Sequence, residues 1–166
     1  GKSSTSLIDY LYNYCMLKNF IIQISDFDTK NLKFFTKKYP KIITKIFDVN
    51  DKKQREKIVI NQSIVISMLP AKYHLLIAIE CLKSNINLVT ASYISDELMK
   101  LDYEVKKKNL LFLNEVGLDP GLDHMSALKL IEEIKNENGK IKSFKSHCGG
   151  LIHPKYDNNP WNYKFT

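Results

Sequence analysis

The feature that most constrains the fold is a continuous apolar run at residues 64–70 (IVISMLP). Its length and its β-branched side chains are typical of a strand that is buried on both faces, as in a parallel sheet. Pro70 suits the first turn of a following helix, where its missing N–H is not needed. The run therefore predicts a strand that leads directly into a helix.

The same alternation of strand and helix continues on both sides of this run. Further strands are predicted at 20–24, 42–49, 87–90 and 110–113, and helical patterns separate them. Short connections between such elements favour crossovers that return over one parallel sheet. The predicted fold class is therefore α/β, a Rossmann-like doubly wound parallel sheet with helices on both faces.

The pattern changes after Asn114. Residues 117–121 (GLDPG) predict a turn, a helix follows over about 123–136, and residues 140–147 alternate as a strand would. We accordingly expect one domain over residues 1–117 and the beginning of a second α/β domain over 118–166.

The net charge of +7 at first favours a nucleic-acid partner, but its make-up does not. Arg55 is the single arginine, so 24 of the 25 basic residues are lysines. Recognition of bases and phosphates relies heavily on the planar fork of arginine. We expect the lysines to form a solvated surface and the partner to be a small molecule rather than a nucleic acid.

The cysteines and the N-terminus indicate a reducing compartment. Cys15, Cys81 and Cys148 are too few and too scattered for a disulfide framework, and none lies in a CxxC pair that would suggest a metal site. No apolar run is long enough to span a membrane, and residues 1–6 do not resemble a signal peptide. The expected localisation is cytoplasmic.

The opening residues, GKSSTS, precede a helical pattern without a strand before them. A Rossmann domain begins with a strand, a glycine-rich turn and a helix that faces the pyrophosphate. We therefore expect the first strand and first glycine to be missing, with Ser4 where the third glycine usually stands. Backbone N–H groups of Gly1, Lys2, Ser3 and Ser4 would then bind the pyrophosphate. The end of a Walker A loop and an ordinary serine-capped helix start are the alternatives.

Asp26 lies 25 positions after Gly1, at the end of a predicted strand. An acidic residue about 20 positions after the glycine turn binds the adenosine ribose, and it favours NAD over NADP because it repels a 2′-phosphate. The expected cofactor is thus NAD or NADP, with NAD favoured, although the nearby Lys30 would soften this preference. Alternatively, Asp26 and Asp28 only form a turn and a helix cap.

Five segments, found in the same order, resemble the saccharopine dehydrogenase family, in particular its glutamate-forming, saccharopine reductase-like branch. They are residues 65–70 (VISMLP), 88–96 (LVTASYISD), 114–125 (NEVGLDPGLDHM), 147–151 (HCGGL) and 157–166 (DNNPWNYKFT). The first 60 residues resemble the family mainly in layout, most clearly at 2–7 (KSSTSL).

The resemblance implies NAD(P)-dependent oxidation of the secondary amine of saccharopine to an imine, which water opens to glutamate and an aminoadipate semialdehyde. It also implies a Rossmann domain followed by an α/β substrate domain, here cut at both ends, so that the isolated fragment would be inactive. A homodimer of the full-length protein is compatible with the family.

The resemblance also assigns roles to individual residues. Cofactor contacts are implied for residues at the ends of the predicted strands and in the 117–121 turn: Asp48, Val49, Met68, Leu69, Thr90, Ala91, Ser92, Leu118 and Pro120. Substrate contacts are implied for Ser92, Tyr93, Asp119, Cys148, Gly149 and Gly150, and Asp119 and Tyr93 are the candidate catalytic residues.

Structural roles remain open for several of these residues. Met68 and Leu69 could belong to the core, Ser92 could be a turn residue with Tyr93 packed beside it, and Asp119 and Asp123 could cap the helix that contains His124. At the level of function, the alternatives are a non-catalytic dinucleotide-binding module and a lysine-6-dehydrogenase-like enzyme.

Overall fold

The computed structural model describes residues 4–149. Their strands are β1 (Gln23–Asp26), β2 (Ile43–Ile46), β3 (Ile64–Ser67), β4 (Asn87–Thr90) and β5 (Phe112–Leu113). Their helices are α1 (Ser4–Lys18), α2 (Thr29–Lys38), α3 (Lys52–Val59), α4 (His74–Ser84), α5 (Asp96–Met99), α6 (Asp102–Lys107) and α7 (Leu122–Asn136), with a 3₁₀ turn at Ala71–Tyr73. The alternation of strands with helical segments through β5 confirms the predicted α/β class.

All strand pairs are parallel and fall into two ladders, β1–β2 and β3–β4–β5. Residue Asp26 is paired with Ile46 at the carboxyl ends of the first ladder, and Ser67 with Thr90 in the second. A Rossmann sheet has the strand order 3-2-1-4-5-6. The two ladders match positions 3-2 and 4-5-6, and no strand of the described residues occupies position 1 between them.

Two clusters of buried side chains hold these layers together. The larger cluster packs α3, α4 and α5 against β4 and the end of β2, and consists of Phe47, Val49, Val59, Ile77, Ala78, Cys81, Leu88 and Leu98. The smaller cluster joins α1 to α2 and the start of β2 through Ile8, Phe35, Tyr39 and Ile42. Burial of these side chains is the main stabilising contribution, at about 1.5–3 kcal/mol for each fully buried large apolar side chain.

An ion pair reinforces the contact between α1 and α2. The Nζ atom of Lys38 lies 2.9 Å from Oδ1 of Asp9, and the hydroxyl group of Tyr39 donates to the same carboxylate. These two hydrogen bonds hold the pKa of Asp9 below its ordinary value. Because the pair is partly exposed, its contribution to stability is small compared with that of the buried cluster beside it.

The sequence-based prediction was wrong in two places. Residues 140–149 contain no strand, although 140–147 alternate in polarity. The helical pattern between the strands predicted at 87–90 and 110–113 forms not one helix but two, α5 and α6, with Lys100 and Leu101 between them. In addition, β2, β3 and β5 are shorter than the apolar patterns that predicted them and β1 lies further along the chain than predicted, whereas β4 has the predicted bounds.

The chain divides into two compact units, one ending at Gly121 and the other beginning at Leu122. The first contains all five strands, and the second contains α7. Among the described residues, no helix is both long enough and apolar enough to cross a membrane.

Candidate functional site

Most of the predicted site residues lie just beyond the carboxyl ends of parallel strands in the first unit. Asp26 ends β1, Asp48 and Val49 follow β2, Met68 and Leu69 follow β3, and residues 90–93 end and follow β4. Ligands of open α/β sheets bind at this edge because the loops that follow the strands line a crevice there. These residues therefore lie at the edge of the sheet where proteins of this fold class bind their ligands.

The carboxylate of Asp26 is partly exposed and makes two local hydrogen bonds. Its Oδ1 accepts from the backbone N–H of Asp28 at 2.9 Å, and its Oδ2 accepts from Nδ2 of Asn31 at 3.3 Å. A carboxylate has about four acceptor positions, so two remain for ribose hydroxyl groups. Asp28 caps α2 by accepting from the N–H of Lys30, so the capping role considered for Asp28 is confirmed.

The loop after β2 is held by side chains from α3. The N–H of Asp48 donates to Oε1 of Gln54 at 2.9 Å, and Nη1 of Arg55 donates to the carbonyl of Val49 at 2.7 Å. The Arg55 side chain is buried, and within the described part of the chain its Nε has no hydrogen-bond partner. Asp48 is partly exposed, whereas Val49 is buried.

A buried histidine connects the ends of β3 and β4. Nδ1 of His74 lies 2.9 Å from Oγ of Ser67, and Nε2 lies 2.9 Å from Oγ of Ser92. His74 is the first residue of α4 and is 4% exposed. Burial lowers its pKa, which favours the neutral imidazole near neutral pH.

The loop after β4 is also tied to the segment that follows β5. Oγ1 of the buried Thr90 donates to Oδ1 of Asn114 at 3.1 Å, and the N–H of Ile94 donates to Oε1 of Glu115 at 3.0 Å. The N–H of Glu115 donates to the carbonyl of Ser92 at 3.2 Å. Thr90 as a whole is 1% exposed, and its carbonyl accepts from the N–H of Val116 at 3.3 Å.

The two candidate catalytic residues meet in this region. The phenol hydroxyl of Tyr93 donates to Oδ1 of Asp119 at 2.6 Å, and both residues are exposed. A hydrogen bond to a carboxylate at this distance is strong because the acceptor is charged. Tyr93 and Asp119 therefore present a hydroxyl group and a carboxylate side by side to any ligand at this rim.

Two glycines allow the 117–121 turn to approach β4. A Cβ atom at Gly117 would lie 2.8 Å from the carbonyl oxygen of Ala91. Gly121 has φ of 145°, and a Cβ there would lie 2.3 Å from the carbonyl oxygen of Gly117. Larger residues would displace the turn. In this turn Leu118 is exposed and Pro120 is buried.

The remaining predicted residues lie at the start of α1, in the second unit or outside the described residues. Nδ1 of His124 lies 2.7 Å from Oδ1 of Asp123, and His124 is exposed. Cys148 and Gly149 are exposed, whereas Gly1, Lys2, Ser3 and Gly150 lie outside the described residues. Ser4, the first residue of α1, is buried. No group of three or more potential metal ligands occurs between residues 4 and 149.

Sequence reasoning missed His74 and Glu115. His74 lies on an apolar helical stripe, and nothing in its local sequence shows that Ser67 and Ser92 flank its ring. Glu115 adopts a positive φ of 60°, which is uncommon for a residue other than glycine. Its position between a predicted strand and a glycine turn was the one feature of the sequence that could have indicated a role for Glu115 in this region.

Sequence comparison identifies two matching domain families. The saccharopine dehydrogenase NADP binding domain matches residues 10–113, and the saccharopine dehydrogenase C-terminal domain matches residues 117–166. The first match alone covers more than half of the chain.

Similar proteins agree with these matches. The alpha-aminoadipic semialdehyde synthase of Arabidopsis thaliana is 44% identical over 119 residues, which are 72% of this chain and 11% of that protein. The NADP(+)-dependent, L-glutamate-forming saccharopine dehydrogenase of Saccharomyces cerevisiae is 40% identical over 119 residues, 72% of this chain and 27% of that protein.

A solved structure shows the same fold. The apo form of the L-Glu-forming saccharopine dehydrogenase of Saccharomyces cerevisiae superimposes with a TM-score of 0.85 and 32% identity, covering 100% of this chain and 36% of that one. The chain thus spans about a third or less of the proteins that it matches. With a matching domain family over most of its length, the chain belongs to the saccharopine dehydrogenase family.

Proposed function

We propose that this chain is the dinucleotide-binding part of an oxidoreductase that acts on the C–N bond of saccharopine, or of a related amino acid, in lysine metabolism. The observation that carries the proposal is the pairing of Tyr93 with Asp119 at the carboxyl edge of a parallel sheet, in a chain of this family. Residues 1–117 would bind the dinucleotide, and 118–166 would begin the substrate domain.

The chemistry requires a substrate amine held beside a hydride acceptor. The nicotinamide supplies the hydride acceptor when it is bound. In the forward direction the amine would lose a hydride to the nicotinamide and a proton to solvent to become an imine, and water would then open the imine to glutamate and an aldehyde. Asp119 would hold the ammonium or amine group of the substrate, and Tyr93 would fix the orientation of the Asp119 carboxylate. Ser92, Cys148, Gly149 and Gly150 would contact the rest of the substrate.

The residues present fit a nicotinamide dinucleotide. Asp26, Asp48 and Val49 would lie on its adenosine side, whereas Met68, Leu69, Thr90, Ala91, Ser92, Leu118 and Pro120 would line its path along the rim. Gly1, Lys2, Ser3 and Ser4 would face the pyrophosphate through backbone N–H groups.

We propose NADP as the cofactor. The NAD preference expected from Asp26 has no support from the comparisons, because the matching domain and the yeast relative are both named for NADP. Its local hydrogen bonds give Asp26 a role that does not depend on the ribose. Cytoplasmic localisation and a homodimer stay predictions.

The direct test is an absorbance assay on the protein that carries this sequence, with saccharopine as the substrate and NADP or NAD as the oxidant. We expect saccharopine-dependent formation of NADPH, together with glutamate as a product. Tight dinucleotide binding without turnover of saccharopine would contradict the proposal and favour a non-catalytic binding module. Turnover with lysine alone would favour a lysine-6-dehydrogenase-like enzyme.

A further inference from the structure

The neutral ring of His74 joins two serine side chains that belong to neighbouring strand ends. Ser67 is the last residue of β3, and Ser92 is the second residue after the end of β4. Both ring nitrogens lie 2.9 Å from a serine hydroxyl oxygen. A buried histidine with both nitrogens satisfied by short side-chain contacts has a fixed ring orientation.

A neutral imidazole has one N–H group, so one of its two nitrogens donates and the other accepts. If Nε2 carries the proton, it donates to Ser92, and the hydroxyl proton of Ser92 is then available to a ligand. If Nδ1 carries the proton, Ser92 must donate to the ring, and its oxygen can only accept from a ligand. The tautomer of His74 thus determines what Ser92 offers at the rim.

We propose that His74 is a positioning residue that holds Ser92 through Nε2 and presents the Ser92 hydroxyl as a hydrogen-bond donor to a carboxylate oxygen of the substrate. This inference rests on the function proposed above, which supplies an amino-acid substrate with carboxylate groups. A carboxylate only accepts hydrogen bonds, so it selects the tautomer in which Ser92 is free to donate.

The position of Ser92 supports this role. Ser92 is partly exposed, whereas Ser67 and His74 are 4% exposed, so the chain of hydrogen bonds runs from the interior to the surface. The next residue, Tyr93, contacts Asp119, and the carbonyl of Ser92 accepts from Glu115. Loss of the His74 contact would therefore reorient Ser92 within a loop that the segment after β5 still holds.

Two substitutions of His74 separate its two contacts. In His74→Asn the side-chain amide matches the reach of Nδ1, so only the contact with Ser67 can persist. In His74→Gln the longer side chain reaches as far as Nε2 and can keep the contact with Ser92. The matched control is Cys81→Ala on the same helix, because Cys81 is fully buried and lies outside this hydrogen-bond chain.

Steady-state kinetics of the protein that carries this sequence, with saccharopine and NADP, give the first test. We expect His74→Asn and Ser92→Ala each to raise the KM for saccharopine about tenfold, with dinucleotide affinity changed by less than about threefold. The double variant should be no worse than either single variant, and His74→Gln should restore most of the loss. Equal losses in His74→Asn and His74→Gln, additive losses in the double variant, or a similar KM increase in Cys81→Ala would overturn the inference.

Nitrogen NMR of the histidine rings tests the same contact without any substrate. We expect a neutral His74 ring near neutral pH, and we expect the Nε2 signal to move in Ser92→Ala but not in Cys81→Ala. A protonated ring, or an Nε2 signal that Ser92→Ala leaves unchanged, would overturn the inference. If saccharopine is not turned over but the NMR result is as expected, the proposed substrate fails while the His74–Ser92 contact stands.

Discussion

The phenol oxygen of Tyr93 and Oδ1 of Asp119 lie 2.6 Å apart, although 26 residues separate them in the chain. Tyr93 follows β4, and Asp119 lies in the turn that follows β5. Because these strands are parallel neighbours, their following loops emerge at the same edge of the sheet. The contact joins two of the five segments that resemble the family, residues 88–96 and 114–125.

Replacing Tyr93 with phenylalanine removes the donor and leaves the ring. On the proposed function, we expect the protein that carries this sequence to lose about tenfold in kcat/KM for saccharopine, because a hydrogen bond to a charged group contributes about 1.5–3 kcal/mol, part of which water replaces. Steady-state kinetics measure this change. The matched control is Tyr103→Phe, since Tyr103 is 72% exposed on α6. Comparable activity in the two variants would show that the Tyr93 hydroxyl has no role in turnover.

Replacing Asp119 with asparagine preserves the shape of the side chain and removes its charge. We expect turnover to fall about a hundredfold, whereas dinucleotide affinity, measured by calorimetry, should change less than about threefold. Asp102→Asn is the control, because Asp102 is an exposed residue that pairs only with Lys106 among the contacts described. Equal losses in turnover and in dinucleotide affinity would indicate that Asp119 only maintains the turn.

The layout of the first unit could be predicted because it depends on local patterns. The apolar run at 64–70 indicated β3, and the spacing of Asp28 from the apolar residues of α2 indicated a cap. A strand, however, also needs a hydrogen-bonding partner. The alternation at 140–147 could not show whether one exists, and no strand forms there.

The contacts of the candidate site were harder to predict because they join distant residues. Ser92 was predicted from its resemblance to the family, but His74, which lies 18 residues earlier, is identified only by the three-dimensional placement of α4. The case of Asp26 is different, since spacing predicted its position at the end of β1. Its hydrogen bonds with Asp28 and Asn31 could not be read from spacing, and they weaken the argument for NAD.

Replacing Asp26 with asparagine tests the charge at the end of β1. Asparagine can still accept from the N–H of Asp28, so the turn should persist. Removing a negative charge near the ribose should raise the ratio of kcat/KM with NADP to kcat/KM with NAD. The increase should be about tenfold if the charge lies close to the 2′-phosphate. Asp28→Asn is the control, because asparagine also caps helices well. An unchanged ratio in Asp26→Asn would show that Asp26 has a structural role in the turn and none in the choice of cofactor.

Replacing Arg55 with methionine tests the support of the loop after β2. Arg55 donates to the carbonyl of Val49 from a buried position, so its loss should lower the free energy of unfolding by about 1–3 kcal/mol. Denaturant unfolding measures this change. Lys57→Met, at an exposed position of α3, is the control and should have an effect within about 0.5 kcal/mol. An unchanged free energy of unfolding in Arg55→Met would contradict this expectation. It would mean that removing the buried Nε atom, which has no hydrogen-bond partner among the described residues, offsets the lost hydrogen bond.

The buried thiol of Cys81 should make the folded protein less stable at alkaline pH. Burial, with a smaller contribution from the charge of Glu80, raises the pKa of Cys81 from 9.0 to about 12. Between these values the unfolded chain loses the thiol proton and the folded chain keeps it, so the free energy of unfolding should fall as pH rises above 9. One such group contributes at most about 1.4 kcal/mol per pH unit.

Denaturant unfolding at several pH values should show a shallower fall in Cys81→Ala than in the unmodified protein. Cys148→Ala, which removes an exposed thiol, should keep the full slope; identical slopes in all three proteins would show that Cys81 ionises equally in both states.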